Sequence, residues 1–336
     1  MVAIGAALCA VLLIALGIFF FAPRYFYHVA VERKAPLPGS VAFLKAEAQR
    51  LIKQPRLWVD EQNYERAVIV SHDGLTLEGL FVASPARVQD DGQGTVRGWA
   101  GTAGRSLSAD TVILAHGYNG DARQLSDFAR RFYERFGYNV LLPHARGHGA
   151  SQGDAIGFGW PDRLDYLRWI DWVIRRTRSQ TETPVRIVLF GVSMGAATVL
   201  MTGGEEALPP DVKAIIEDCG YTSVEEELRY QLNQQYRLRS KWLFDATSRL
   251  TQKRAGYLLE EASALTQVKK IKVPTLFIHG DADTFVPFKM VYALYEACTV
   301  EKELFVVHGA GHGMASETAG EEYNERIATF LEKYLP

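Results

Sequence analysis

A mainly parallel β-sheet with helices on both faces, entered through an antiparallel hairpin and carrying an inserted helical cap, is the fold class that the sequence predicts. Three observations lead there. From Thr111 onward, short apolar runs alternate with longer segments of helical period, the signature of strands joined by crossover helices. Before them, Ala67 to Ser71 and Leu75 to Ala83 flank the turn residues His72, Asp73 and Gly74, which reads as a β-hairpin. Late in the chain, residues 222–272 interrupt the alternation with polar, helix-prone sequence. Composition agrees: 336 residues, 48% hydrophobic and 23% charged with 3 Cys, exclude a disordered chain and a disulfide-stapled miniprotein. A net charge of −2 without a basic tract argues against nucleic acid as a partner.

The elements follow in chain order. Val2 to Ala22 is 21 residues without a charge, enough helix to span a bilayer, and Pro23 stands where a signal peptidase would have to cut. Residues 1–23 are therefore expected to be an uncleaved membrane anchor. Arg24, Arg33 and Lys34 just after it favour a single-pass protein with the bulk of the chain in the cytoplasm. Residues 24–66 read as a stalk. Tyr25, Phe26 and Tyr27 suit a membrane interface, Pro36, Pro38 and Gly39 break any helix, and Ser40 to Lys53 has amphipathic helical spacing. Residues 67–336 then form one domain. Pro85 to Asp110 is a Gly-rich surface insertion, with a mobile lid as the alternative. The hairpin, together with runs at 111–115, 139–143, 186–190, 214–217, 275–279 and 303–308, gives eight strands. Helical patterns cover 125–136, 162–176, 195–202, 289–297 and 321–334, and the interval 222–272 is the cap.

The sharpest chemical signal is Gly191-Val192-Ser193-Met194-Gly195, set between a strand and a helix. A nucleophilic serine needs such a tight turn, and Gly191 and Gly195 leave room for the neighbouring backbones. Serine also needs a base, and the base needs a carboxylate. Downstream, the strand ending at His279 leads to Asp281 and Asp283. Asp283 is the expected acid, Asp281 the turn former, and Asp218 a second acid candidate. The loop Gly309 to Gly313 carries His312, the expected base, whereas His308 reads as a buried or loop-packing histidine. Backbone N–H groups of Met194 and Tyr118 are the expected oxyanion donors, and His116 reads as a support for the Tyr118 loop.

With HGY at 116–118, ARGHGAS at 145–151, GVSMG at 191–195, HGDADTFVP at 279–287 and GAGH at 309–312, the sequence resembles the α/β-hydrolase superfamily from about Ala67 to Pro336. Segments 158–172 and 254–274 are similar to membrane-anchored bacterial hydrolases described as esterase-like or serine-aminopeptidase-like. His144 departs from the pattern, because related sequences commonly carry Asp there. The resemblance implies a serine hydrolase and leaves its substrate open.

No metal-ligand spacing and no dinucleotide fingerprint is present, so the enzyme is expected to work without metal or cofactor. The expected activity is cleavage of carboxylic esters through an acyl-enzyme on Ser193. A peptidase or amidase with the same triad is the near alternative, and a non-catalytic membrane-held binding protein the distant one. Glu225, Glu226 and Glu227 read as a solvated first helical turn rather than an amine site. Tyr230, Tyr236, Trp242, Phe244 and Tyr257, with Arg229, Arg237, Arg239, Lys241 and Arg249, supply aromatic and basic character to the cap, which suits a small-molecule ester or acyl substrate.

Overall fold

The computed structural model describes residues 17, 19–33, 57–85, 108–118 and 120–335. Its centre is an eight-stranded sheet: β1 (Glu65–Val70), β2 (Thr76–Val82), β3 (Asp110–Ala115), β4 (Asn139–Pro143), β5 (Arg186–Val192), β6 (Val212–Asp218), β7 (Thr275–Gly280) and β8 (Lys302–Val307). The spatial order is β1-β2-β4-β3-β5-β6-β7-β8. β1 and β2 form the antiparallel hairpin, β2 pairs antiparallel with β4, and every later pairing is parallel. This is the α/β-hydrolase fold.

Strands covered on both faces need apolar residues at successive positions, and the alternation then decides which layer each residue joins. In β3, Ile113 and Ala115 enter one core and Val112 and Leu114 the other. The first core is closed by helices Asp162–Arg178, Met194–Gly203 and Lys289–Ala297, through residues such as Trp169, Leu200 and Val291. The second is closed by Ser126–Arg131 with its continuation to Phe136, and by Glu321–Tyr334, through Phe132 and Phe330. The order of winding reverses at β3: the chain crosses from β3 to β4 on one side and then from β4 over to β5 on the other. Such a switch point opens a crevice at the carboxyl ends of the strands.

The cap is built from helices Val224–Tyr236 and Lys241–Ala255, followed by the short turns Leu259–Glu261 and Ala264–Val268. Ser223 and Ser240 start the two long helices by accepting hydrogen bonds from Glu226 N and Leu243 N. Arg237, at φ 56°, ends the first in the left-handed conformation and reverses the chain.

The expected stalk needs correction at its start. Residues 19–30 are helical, and Pro23, Tyr27 and Val31, spaced four apart, are buried on one side of that segment. Tyr27 and Val31 belong to the first core. Glu32 bridges to Ala155, and Arg33 donates to the carbonyls of Ser151 at 2.7 Å and Gly149 at 2.9 Å. Of the three aromatics assigned to a membrane interface, Tyr25 is exposed but Tyr27 is core. Most of segment 2–22, the amphipathic stretch 40–53 and most of the Gly-rich loop 85–110 lie outside the described residues. Among the described residues no helix is long and apolar enough to cross a membrane.

Candidate active site

Three loops at the carboxyl edge converge on Ser193. The serine follows β5 with φ 58° and ψ −117°, a conformation that non-glycine residues rarely adopt. Its N–H donates to the Asp218 carbonyl at 2.8 Å, which ties the turn to the end of β6. Glycine is obligatory on both sides. A Cβ at Gly195 would lie 1.9 Å from the Ala115 carbonyl oxygen, and one at Gly191 would lie 2.2 Å from that of Gly195.

Ser193 Oγ is 2.8 Å from His312 Nε2, and His312 Nδ1 is 2.7 Å from Asp283 Oδ2. The second Asp283 oxygen accepts from the backbone N–H groups of Phe285 at 2.8 Å and Val286 at 3.0 Å. Burial alone would raise the Asp283 carboxyl, but hydrogen bonds from His279 and His312 overcome it and hold it at about 2. Asp283 is therefore an anion at neutral pH, and its hydrogen bond directs the Nδ1 proton of His312 toward itself. That tautomer leaves Nε2 with a lone pair facing the serine hydroxyl. The Phe285 ring lies 4.8 Å from the imidazole and covers it.

Met194 is the first residue of its helix, where a backbone N–H has no partner within the helix. The loop after β3 passes alongside, because a side chain at Gly117 would meet Ser193 Cβ at 3.7 Å. Tyr118 in that loop is held at two points. Its carbonyl accepts from His148 Nε2 at 2.6 Å, and its hydroxyl donates to the Ala30 carbonyl at 2.6 Å. His116 accepts from Ala145 N at 3.0 Å through Nε2, so it braces the β3 and β4 exit loops. Burial lowers its pKa well below the usual imidazole range and keeps it neutral. His144 accepts from Ala122 N at 3.3 Å, and burial brings it down to about 4. It supports the loop beside the site and does not reach Ser193.

Other sequence candidates fall elsewhere. Asp218 is buried and accepts from the Tyr323 hydroxyl at 2.8 Å, with no hydrogen bond to His312. Asp281 shapes the loop by accepting from Gly309 N at 2.7 Å and pairing with His308 at 2.8 Å. His308 is exposed rather than buried, because the chain has already left the sheet at Val307.

Two residues escaped the sequence reading. His279, fully buried, points Nε2 at Asp283 Oδ2 and at the Val286 carbonyl, 3.2 Å from each. Both partners accept, so Nε2 carries a proton. Burial opposes protonation of this ring, yet the bond to Asp283 and the nearby Glu217 raise its pKa above the ordinary value. Glu227 is the second. Glu225 pairs with Arg229 and Glu226 with Lys289, as a solvated turn would, but Glu227 is buried in the cleft wall. Burial pushes its carboxyl up to about 7, one oxygen takes a hydrogen bond from Gln231 at 2.9 Å, and the other has no partner among the described residues.

The cleft above Ser193 encloses about 290 Å³. Its walls are apolar for the most part: Phe26 and Val29 from the N-terminal segment, Phe158 from the body, and Leu228, Leu243 and Phe244 from the cap. Of the cap aromatics, Phe244 and Tyr236 line it, Tyr257 is buried with its hydroxyl on the Ile156 carbonyl, and Tyr230 donates to the Thr284 carbonyl at 2.8 Å, fastening cap to acid loop. Cys219, Asp283 and His312 have ligand-capable atoms within 4.8 Å of one another. They do not suit a metal, because burial raises the Cys219 thiol far up and both His312 nitrogens are already engaged. Cys219 and Cys298 are both free and buried.

The profile of the serine aminopeptidase S33 family matches residues 108–256 and 251–319, from the start of β3 to beyond His312. Among relatives, the uncharacterized protein YqkD of Bacillus subtilis (strain 168) is 29% identical over 223 residues, 66% of this chain and 71% of that one. Human alpha/beta hydrolase domain-containing protein 17C is 26% identical over 228 residues, 67% of this chain and 59% of that one. Among solved structures, the Pyrococcus furiosus esterase Pf2001 superposes with a TM-score of 0.60 at 23% identity, over 82% of this chain and 93% of its own. At that identity the likeness speaks to the fold. Because the family profile takes in more than half of the chain, including the elbow, the cap and the loop of His312, the protein belongs to the serine aminopeptidase S33 family of α/β-hydrolases.

Proposed function

We propose that this protein is a serine hydrolase that cleaves carboxylic esters through an acyl-enzyme on Ser193. The observation that carries the reading is the unbroken chain Ser193 Oγ, His312, Asp283, with heavy-atom distances of 2.8 and 2.7 Å, at the floor of an apolar cleft. In this reading His312 Nε2 takes the serine proton as Oγ attacks the carbonyl carbon, and anionic Asp283 stabilises the imidazolium. The developing oxyanion is held by the backbone N–H groups of Met194 and Tyr118, each donor worth about 3 kcal/mol of barrier. His312 then returns the proton to the leaving alkoxide, and water repeats the sequence to release the acid.

An ester with an apolar acyl or alcohol part suits the cleft walls. Glu227 supports a second reading, hydrolysis of an amide or peptide bond, because an ionised carboxylate with an unpartnered oxygen suits a substrate ammonium. Turnover of p-nitrophenyl esters and of aminoacyl p-nitroanilides, measured side by side with wild type, Ser193→Ala and Glu227→Gln, separates the two. The ester reading expects ester turnover that needs Ser193 and survives Glu227→Gln. Dominant anilide turnover that collapses in Glu227→Gln replaces it with the peptidase.

A further inference from the structure

The mouth of the cleft carries an apolar and basic surface that the hydrolytic chemistry does not use. Phe19, Phe20, Phe21 and Tyr25 are all at least half exposed along one helical segment. Tyr236, Leu238 and Trp242, from the two cap helices and the turn between them, are 38%, 42% and 40% exposed. These are not scattered. The Phe19 ring stacks on Trp242 at 5.1 Å, and Tyr236 packs edge-on against Phe26 at 5.1 Å and Tyr25 at 6.5 Å. Single exposed apolar residues are ordinary, but a contiguous cluster of large aromatics marks a contact surface.

Charge and chain continuity say what covers it. Arg24, Arg237 and Arg239 are exposed around the cluster, with no carboxylate partner among the described residues, and Lys241 beside them pairs with Asp245. Aromatic rings ringed by arginine match the boundary of an anionic lipid surface, where rings sit at headgroup level and each nearby cation gains favourable interaction. Phe19, Phe20 and Phe21 are also the end of the uncharged stretch 2–22, so whatever takes up that stretch meets Trp242 at once through the Phe19 stack. Phe26 and Tyr236 belong both to the cluster and to the cleft wall.

We propose that the turn between the two cap helices and the segment 19–25 together form a docking face for a bilayer containing anionic lipid, with the cleft mouth opening onto the headgroup layer. The proposal concerns a surface and stands apart from the reaction assigned to Ser193. Its test is spectroscopic. The full chain carrying Cys9→Ala is spin-labelled at Leu238→Cys, or at Glu182→Cys on the opposite end of the sheet, while the buried Cys219 and Cys298 stay unlabelled. Each protein is reconstituted into phosphatidylcholine vesicles with or without phosphatidylglycerol, and collisions with oxygen and with a water-soluble nickel chelate are compared.

In anionic vesicles the label at 238 is expected to collide with oxygen in preference to nickel, while the label at 182 shows the reverse. Adding Arg237→Glu and Arg239→Glu is expected to return the 238 label toward the aqueous pattern. A 238 label as open to nickel as the 182 label overturns the docking face. An oxygen preference at 238 that ignores both anionic lipid and the arginines overturns its electrostatic part. Circular dichroism of every variant separates loss of docking from loss of folding.

Discussion

Asp283→Asn replaces one carboxylate oxygen by an NH2 group and leaves the shape of the site almost intact, so its effect isolates the electrostatic and tautomeric role of the carboxylate. One carboxylate oxygen accepts from Phe285 N and Val286 N at 2.8 and 3.0 Å, which forces the amide oxygen of the variant to that side. Its NH2 group then faces His312 Nδ1, 2.7 Å from the original oxygen, and His279 Nε2 at 3.2 Å, both of which are donors. The only relief open to His312 is to accept through Nδ1, which moves its proton to Nε2 and removes the lone pair that faces Ser193. The imidazolium formed in the attack also loses its counter-charge. We expect kcat/KM for a p-nitrophenyl ester to fall by about 10³ to 10⁴, or roughly 4 to 5.5 kcal/mol of barrier. The loss should lie in kcat, because Asp283 lines no part of the apolar cleft. Urea unfolding should register a cost of about 1 to 3 kcal/mol for the donor left facing a donor. A folded Asp283→Asn protein with less than about a tenfold loss in kcat/KM would refute the assignment of this carboxylate.

Three further outcomes follow from named groups. Glu227 has its carboxyl at about 7 in the folded chain against 4.5 in the open chain, so ionising it costs the fold roughly 3 kcal/mol, a penalty that starts near 4.5 and is complete above about 7. Urea melts of Glu227→Gln should therefore show a stability gain at about pH 8 that disappears by about pH 4, and a gain that does not vary with pH counts against the burial argument. His279 has the opposite sign: its raised folded pKa gives stability that is fully present below the ordinary imidazole range and fades as pH rises through the folded value. His279→Gln should lie furthest below wild type in acid, and a gap that widens in alkali contradicts the His279–Asp283 pairing. Gly195→Ala pushes a methyl to 1.9 Å from the Ala115 carbonyl oxygen, so it should lose at least about 3 kcal/mol or fail to fold, and a soluble protein with unchanged Tm would show the elbow to be placed wrongly.

Ser193, Asp283 and His312, which the structure brings within hydrogen-bond distance of one another, could be picked out in the sequence because each is set by local pattern. Gly191 and Gly195 flank the turn that strains Ser193, and Asp283 and His312 each follow an apolar strand by a few residues. The strand and helix alternation carries the sheet for the same reason, since a strand buried on both faces must be apolar at successive positions. What stayed hidden depends on which side of an element meets which neighbour. Glu225, Glu226 and Glu227 are one residue type on one helical turn, and only the docking of Val224–Tyr236 over the cleft turns the third inward. Likewise His279 lies near the end of β7 as any buried strand residue might, and its contact with Asp283, four residues on, exists because the intervening turn folds back. Tyr27 and Val31 share one face with Pro23, but three positions over nine residues are too short a run to separate a docked helix from an interfacial one.

The most direct test of Ser193 as the nucleophile is covalent capture read by mass spectrometry: treatment of the full-length protein with a fluorophosphonate, followed by peptide mapping. One phosphonyl adduct is expected on the peptide carrying Ser193, absent in Ser193→Ala and slowed strongly in His312→Ala, with ester hydrolysis lost in step. Folded protein that takes up no label, or a Ser193→Ala variant that still labels and hydrolyses esters at the wild-type rate, would contradict it.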